Sequence, residues 1–153
     1  MTQPYPHTYT ATASGEPTGS VTVASPRLEP LRTAPPAEFG GPGNLWSPET
    51  MLVASIANCF VLTLRAVARA AGFHWLGVEC HVEGVLERVE GAAQFSRFVT
   101  HATLSVPNGT DEAAARRLLE RAEHGCLIAN SLRGARRLEA TITVSRAAAA
   151  VAS

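Results

Sequence analysis

The chain carries no formal net charge, so we do not expect it to bind a highly charged partner. Thirteen basic and thirteen acidic residues cancel, and the arginines are scattered along the sequence. Nucleic-acid binding needs a concentrated basic face, so we expect no nucleic-acid partner. With 153 residues, 46% of them hydrophobic, the sequence predicts a single globular domain over residues 1–153, with flexible tails at 1–7 and 147–153.

The sequence also lacks the segments that direct a chain to or through a membrane. Its N-terminus has neither the charged region nor the apolar region of a secretory signal. The uncharged run at 50–64 is shorter than the roughly 20 residues of a membrane span, and Asn58 interrupts it. We therefore expect a soluble, cytoplasmic protein with no membrane partner.

Nucleotide and metal motifs are missing as well. The sequence has no phosphate loop, no G-x-S-x-G elbow and no dinucleotide fingerprint, so we expect no cofactor. His81 and His101 are predicted to face each other on a hairpin, with Glu79 or Glu83 nearby. Their spacing matches no metal-binding motif, so we interpret them as solvent-facing polar residues and expect no metal.

Alternating and periodic segments predict an α+β fold with mostly antiparallel pairing, because the strands arrive in hairpins rather than alternating with helices. Ser47, Pro48 and Glu49 form a helix start, and Gly72 is the expected stop of that helix. The predicted strands are Thr8–Ala13, Ser20–Ala24, Gly77–Val89, Phe95–Val106 and Leu138–Ser145, and the predicted helices run from Ser47 to about Ala71, over Asp111–His124 and over Cys126–Arg133.

The long central helix is apolar on all its faces, which is typical of a helix buried on most of its surface. One sheet of a small α+β domain covers only one side of it. A second copy of the chain in a two-fold dimer is the simplest cover for the other side, so we predict a homodimer. The alternative is a monomer whose own sheet wraps the helix.

Cysteine is scarce. Three cysteines without close spacing are not a secreted disulfide framework, so each is a packing residue, a metal ligand or a reactive thiol. Cys80 alternates with core positions and is interpreted as structural. Cys59 is either a small core residue or reactive, and the polar neighbours Ser55 and Asn58 favour reactivity. Cys126 opens a helix, where backbone N–H groups are expected to favour its thiolate.

Two segments together resemble the OsmC/Ohr family of cysteine-based hydroperoxide reductases. They are SPETMLVASIANCF at 47–60 and HGCLIANSL at 124–132. The predicted element order fits the same family, so the resemblance covers nearly the whole chain. It implies an OsmC-like fold, with antiparallel sheets around a long central helix in an intertwined homodimer.

The resemblance also implies roles for individual residues. Cys59 corresponds to the peroxidatic thiol, Cys126 to the resolving thiol and Glu49 to the active-site carboxylate. In relatives an arginine from the N-terminal hairpin or the following loop holds the thiolate. Neither segment matches here, and Arg27 and Arg32 are the nearest candidates.

The implied activity is a thiol-dependent peroxidase that reduces organic hydroperoxides to alcohols. A Cys59 sulfenic acid would condense with Cys126 to a disulfide, which an external dithiol would reduce. The resemblance suggests a lipoyl-type reductant, such as a lipoylated protein. The alternative is a non-enzymatic small-molecule binder or redox sensor of the same fold.

Helix geometry adds an expectation about Glu49. It precedes Cys59 by ten residues, about 15 Å of rise along a straight helix. We therefore expect Glu49 of one chain to approach Cys59 of the other in a dimer.

Apolar side chains are expected to form the substrate-binding wall and to favour organic hydroperoxides over hydrogen peroxide. Phe39 and Trp46 lie in a Gly-rich loop, and for these two residues ordinary packing is an equal alternative. The residues are Phe39, Trp46, Leu52, Ile56 and Phe60.

Overall fold

The structure, a computed structural model, describes residues 3–145 of the chain. The predicted tail at 147–153 lies outside these residues. The chain divides into two compact units, one up to Leu52 and one from Val53 onward. Each unit is described by itself below, and the single domain over the whole chain stays a prediction.

The first unit contains a three-stranded antiparallel sheet. Its strands are β1 (Thr12–Ser14), β2 (Val21–Ala24) and β3 (Leu31–Thr33), in that order across the sheet. The predicted N-terminal hairpin is therefore confirmed, although β1 starts later than the alternating pattern suggested. A short 3-10 helix over Ala37–Phe39 follows in the Gly-rich loop.

Helix α1 spans Pro48–Ala70, so the predicted central helix is confirmed almost to the residue. The Ser47 hydroxyl accepts a hydrogen bond from the backbone N–H of Thr50 at 3.2 Å, which satisfies one of the free donors at the helix start. At the other end Gly72 adopts a left-handed φ of 59°, a conformation that glycine takes without steric cost. Sequence signals at both ends therefore fix this helix.

The second unit contains a sheet of three long strands. Strands β4 (Gly77–Val89) and β5 (Ala92–Pro107) form an antiparallel hairpin, and β6 (Ala135–Ser145) lies on the other side of β5. The hairpin turn consists of Glu90 and Gly91, both with positive φ. Such a turn matches the right-handed twist of the strands that it joins.

Strand β6 pairs with β5 in parallel, an exception to the mostly antiparallel pairing that the sequence predicts. Parallel neighbours need a crossover connection, and helices α2 (Glu112–His124) and α3 (Leu127–Asn130) supply it. Helix α3 is shorter than the predicted Cys126–Arg133, and residues 131–134 connect it to β6, which begins earlier than predicted.

The core of the second unit lies between α1, α2 and the sheet. Helix α1 contributes a stripe of buried side chains at four-residue spacing. The stripe consists of Ile56, Phe60, Leu64 and Ala68. The last three pack with α2 and β5 in one cluster. On another face of α1 the side chain of Leu62 is 52% exposed in the single chain.

Helix α1 has the length and apolar composition of a membrane-spanning helix. The argument against a span from the uncharged run 50–64 is therefore wrong, because the helix continues past that run to Ala70. The core helix of a soluble protein meets the same criteria, and Phe60, Leu64 and Ala68 of the buried stripe lie within a core cluster of the second unit.

Candidate functional site

Cys59 and Cys126, the two predicted reactive thiols, form a hydrogen bond with each other in the second unit. Cys59 lies on α1 and is partly buried, whereas Cys126 precedes α3 and is 1% exposed. Gly125 allows the chain before α3 to approach α1 closely. A Cβ atom at this position would lie 3.0 Å from Cγ2 of Thr63. The missing side chain thus helps to bring two distant parts of the sequence together.

The environment of Cys59 favours its thiolate. Burial by itself raises the pKa of this thiol, but hydrogen bonds outweigh burial and lower the pKa below its ordinary value. The donors are the backbone N–H of Ile128, the thiol of Cys126, the hydroxyl of Thr63 and the backbone N–H of Leu127. All four donors are neutral groups.

Cys126 has the opposite tendency. Burial raises its pKa, and hydrogen bonds from the backbone of Ala129 and Ile128 offset this only in part. The interaction with Cys59 raises the pKa further, because the proton of Cys126 stabilises charge on the other sulfur. The N–H groups at the helix start therefore lower the pKa of Cys126, as expected, but burial and the interaction with Cys59 outweigh them and the net pKa is raised.

The Cys126 thiol has two acceptors within reach for its one proton. Its sulfur lies 3.9 Å from the backbone oxygen of Ile56, a long contact, and it also hydrogen-bonds to Cys59. An ionised sulfur is the stronger acceptor. We therefore assign the proton to Cys59 whenever Cys59 is a thiolate.

Cys80 lies on β4 and packs against the core cluster, as its strand position predicts. Burial raises its pKa to about 11, with a smaller contribution from charge on Cys126. Cys80 is therefore a neutral thiol near pH 7 and a poor nucleophile.

Glu49 lies in the first unit, near the start of α1. It lines an apolar cavity of about 750 Å³ together with Phe39 and Leu52, two of the predicted substrate-binding residues. The Glu49 Oε2 atom is buried and has no hydrogen-bond partner among residues 3–145. A buried carboxylate oxygen without a partner is unfavourable, so this group lacks a donor in the single chain.

The other predicted residues of the first unit lie apart from this cavity. Trp46 is partly exposed and borders a different cavity beside Arg32. Arg32 is exposed and donates to the hydroxyl of Ser20 at 3.3 and 3.4 Å. Arg27 is exposed and has a left-handed φ of 65°. Roles for Arg27 and Arg32 beside the thiolate stay predictions.

Ile56 and Phe60, the remaining predicted substrate-binding residues, are buried in the second unit. With Cys126 they line a cavity of only about 10 Å³, which Glu123 and Arg136 also border. A space of this size holds at most about one water molecule. Substrate contact at these two side chains stays a prediction.

His81 and His101 face each other across β4 and β5, as the alternating pattern predicts. Their rings are 5.7 Å apart. The two nitrogens of His101 lie 3.5 Å from a carboxylate oxygen of Glu83 and 3.0 Å from one of Glu139. Within residues 3–145, no group of three or more His, Cys, Asp or Glu side chains is arranged to hold a metal ion.

Several groups at the thiol pair were not predicted as functional from the sequence. The hydroxyl of Thr63 and the N–H groups of Leu127 and Ile128 contact Cys59. Thr63 lies four residues after Cys59, one helical turn away, so its spacing was a usable signal. The backbone N–H donors come from a distant segment, and the type of residue that carries such a group gives no indication of its role.

Chemically, the arrangement combines a thiol whose pKa is lowered with a second thiol whose pKa is raised, in hydrogen-bond contact. Such a pair can pass through a sulfenic acid to a disulfide, provided that an oxidant reaches Cys59. The groups that stabilise the thiolate are donors of the second unit's own backbone and side chains.

Comparisons with known proteins identify relatives of this chain. Residues 41–141 match the model of the family described as OsmC-like protein. The uncharacterized protein YmaD of Bacillus subtilis is 26% identical over 102 residues, which are 65% of this chain and 68% of YmaD.

Two solved structures are similar in fold. The OsmC-like protein of unknown function from Vibrio cholerae has a TM-score of 0.79 and 14% identity, over 88% of this chain and 99% of its own. The organic hydroperoxide resistance protein OsmC of Legionella pneumophila has a TM-score of 0.71 and 27% identity, over 90% and 98% of the two chains.

Proposed function

Because this chain belongs to the OsmC-like protein family, we propose that it is a thiol-dependent peroxidase that reduces organic hydroperoxides to alcohols. Cys59 is the peroxidatic thiol and Cys126 the resolving thiol. The observation that carries this proposal is the hydrogen bond between them, in which one sulfur has a lowered pKa and the other a raised one. The name of the similar Legionella protein gives further support.

In the first step the Cys59 thiolate attacks one oxygen of the hydroperoxide. The O–O bond breaks, a sulfur–oxygen bond forms, and the alkoxide leaves and takes up a proton to become the alcohol. Sulfur is oxidised to sulfenic acid, and the peroxide is reduced. A lowered pKa at Cys59 supports this step because the thiolate is the nucleophile.

In the second step the sulfur of Cys126 attacks that of the sulfenic acid. A Cys59–Cys126 disulfide forms, and the hydroxyl leaves with the Cys126 proton as water. This step protects Cys59 from irreversible oxidation to the sulfinic acid. An external dithiol, such as a lipoylated protein, then reduces the disulfide by thiol exchange and is itself oxidised.

The proposal includes a homodimer. Helix α1 exposes apolar side chains such as Leu62 in the single chain, and a second copy would cover them. Glu49 of the partner subunit then approaches Cys59. The buried Oε2 atom of Glu49 has no hydrogen-bond partner among the described residues of the single chain, which supports a donor that is supplied in the dimer. Arg27 and Arg32 are the candidates for that donor, since a guanidinium can pair a carboxylate and a thiolate at once.

Organic hydroperoxides are the proposed substrates because apolar side chains gain from burying an alkyl or aryl group. Phe39 and Leu52 line the apolar cavity of the first unit and support this preference. Trp46, Ile56 and Phe60 complete the proposed binding residues. The proposed location is the cytoplasm, where thiols are kept reduced.

The direct experiment measures consumption of cumene hydroperoxide and of hydrogen peroxide with a dithiol donor. Wild type should consume the organic peroxide faster, Cys59→Ser should be inactive, and the control Cys80→Ser should retain activity. Turnover that survives Cys59→Ser would rule out the mechanism.

A second candidate function is a non-enzymatic binder or redox sensor of the same fold. The donors around Cys59 are all neutral, which favours this candidate. Neutral donors stabilise a thiolate less than a cation would, and slow oxidation is sufficient for a sensor. A binder would consume no peroxide, and a sensor that the dithiol does not re-reduce would consume one equivalent and then stop. Sustained turnover would exclude this candidate.

A further inference from the structure

Helix α3 has little packing to hold it in place. It is a single turn of four residues, and a helix this short is unstable by itself. Its first residue, Leu127, has a side chain that is 67% exposed, and Ile128 is also exposed. Ala129 is its one buried residue. Nevertheless the N–H groups of Leu127 and Ile128 are directed at the Cys59 sulfur.

Hydrogen bonds of Asn130, the last residue of α3, replace this missing packing. Its backbone N–H donates to the Cys126 oxygen at 2.9 Å and closes the turn. Its side-chain N–H donates to the His124 oxygen at 2.9 Å, at the end of α2. Its side-chain oxygen accepts from Nη1 of Arg136 at 2.7 Å. Asn130 therefore ties α3 to two other elements.

Arg136 is itself held in place. Its Nε atom lies 3.4 Å from Oε1 of Glu123, and the two side chains are only 28% and 15% exposed. Its backbone belongs to β6 and pairs with Phe98 of β5. One guanidinium thus joins α2, α3 and the sheet, and its rigid fork of donors suits contact with two acceptors at once.

We propose that Arg136 is a positioning residue for the thiol chemistry: through Asn130 it fixes α3 so that the N–H groups of Leu127 and Ile128 stay directed at the Cys59 sulfur. The polar contacts of the Arg136 side chain described above lead to Asn130 and Glu123 and not to a sulfur. The proposal deepens the proposed function and rests on it, since it names the group that keeps the peroxidatic thiol reactive.

The test follows the rate at which iodoacetamide alkylates Cys59 between pH 5.5 and 9. Trypsin cleavage after arginine leaves the three cysteines on separate peptides, 33–65, 70–88 and 122–133, so mass spectrometry follows Cys59 alone. We expect Arg136→Met to lower the rate at pH 6 by about threefold or more, as weakened hydrogen bonds to a charged group would. The rate at high pH should match that of wild type.

Arg137→Met is the matched control. It removes the same charge from the next residue, whose guanidinium is exposed and pairs with Glu139 at 3.0 Å. Asn130→Ala should lower the rate at pH 6 as Arg136→Met does. Combining the two should give no more than the larger single effect, because the proposed action of Arg136 passes through Asn130.

An alkylation profile unchanged in Arg136→Met, or changed equally in Arg137→Met, would overturn the proposal. Additive effects of the two substitutions would overturn it as well. If Arg136→Met does not fold, Asn130→Ala alone decides, since Asn130 is exposed. Alkylation needs no peroxide turnover, so an inactive protein with the expected profile would refute the peroxidase and leave the positioning role intact.

Discussion

The thiol of Cys126 donates a hydrogen bond to the sulfur of Cys59, although 67 residues separate the two in sequence. The bond lowers the pKa of Cys59 and raises that of Cys126. Each pKa is therefore shifted in the direction that the proposed role of that thiol needs. The same contact would bring the two sulfurs together for a disulfide.

Cys126→Ser and Cys126→Ala should separate the two contributions of Cys126, which are hydrogen-bond donation to Cys59 and disulfide formation. The serine keeps an O–H donor, so iodoacetamide should alkylate Cys59 near the wild-type rate at pH 6.5. The alanine removes the donor, and the rate should fall about fivefold, the value of roughly one hydrogen bond. Both variants should accumulate Cys59 sulfinic acid after cumene hydroperoxide, measured by the mass of peptide 33–65.

Wild type treated in the same way is the reference for that experiment and should instead show the peptides 33–65 and 122–133 joined by a disulfide. Equal sulfinic acid in wild type and both variants would mean that Cys126 does not resolve Cys59.

Mixed dimers of Glu49→Ala and Cys59→Ser chains should regain activity if Glu49 serves the site of the partner subunit. Each parent should be inactive. The mixed dimer contains one complete site of two, so we expect about half of the wild-type rate per dimer with cumene hydroperoxide. Two different affinity tags allow the mixed dimer to be purified before the assay.

The control for this mixture pairs Cys59→Ser with a chain that carries both substitutions, which leaves no complete site. A mixed dimer as inactive as this control would place Glu49 outside the partner's site.

Stability at alkaline pH should depend on Cys80. Its pKa rises from 9.0 to about 11 in the folded protein, mainly through burial. The unfolded chain therefore loses this proton first, and the stabilisation present below pH 9 is lost as the pH rises toward 11. The free energy of unfolding of the reduced protein, measured with guanidinium between pH 7.5 and 10, should decline less steeply with pH for Cys80→Ala than for wild type.

Cys126, whose pKa is also raised, contributes a decline of the same sign, so Cys80→Ala should reduce the slope without abolishing it. Parallel declines for both proteins would show that Cys80 ionises normally in the folded state.

Gly84→Ala should destabilise the protein where Gly77→Ala does not. An added Cβ at Gly84 would lie 2.7 Å from Cγ1 of Val53 and 2.9 Å from Cε1 of Phe95, whereas at Gly77 it would meet no atom within 4 Å. Overpacking of this kind costs about 1–3 kcal/mol. The free energies of unfolding from urea titrations of the two variants, both on β4, provide the comparison.

A similar loss in both variants would point to a cause other than the contacts with Val53 and Phe95. Equal stability of wild type and Gly84→Ala would show that Val53 and Phe95 move aside at no cost.

The elements of the fold were largely predictable because their signals are local. Ser47 with Pro48, and Gly72, gave the ends of α1, and the alternation from Gly77 gave β4 with its observed bounds. The parallel pairing of β6 was not predictable, because alternation reports which faces of a strand differ and not which neighbour it has. The length of α3 was overestimated, because the helix ends at Asn130 and the next four residues lead to β6.

For the site, the sequence by itself determined the candidate reactive groups: two thiols, one on an apolar helix and one before a short helix. Only the tertiary structure decided which sulfur has the lowered pKa, because the deciding donors are the backbone N–H groups of Leu127 and Ile128, more than sixty residues from Cys59. Every residue but proline carries such an N–H group, so its type contains no information about where that group points. A hydrogen bond depends on distance and direction, and these are fixed only when α1, α3 and the sheet have packed.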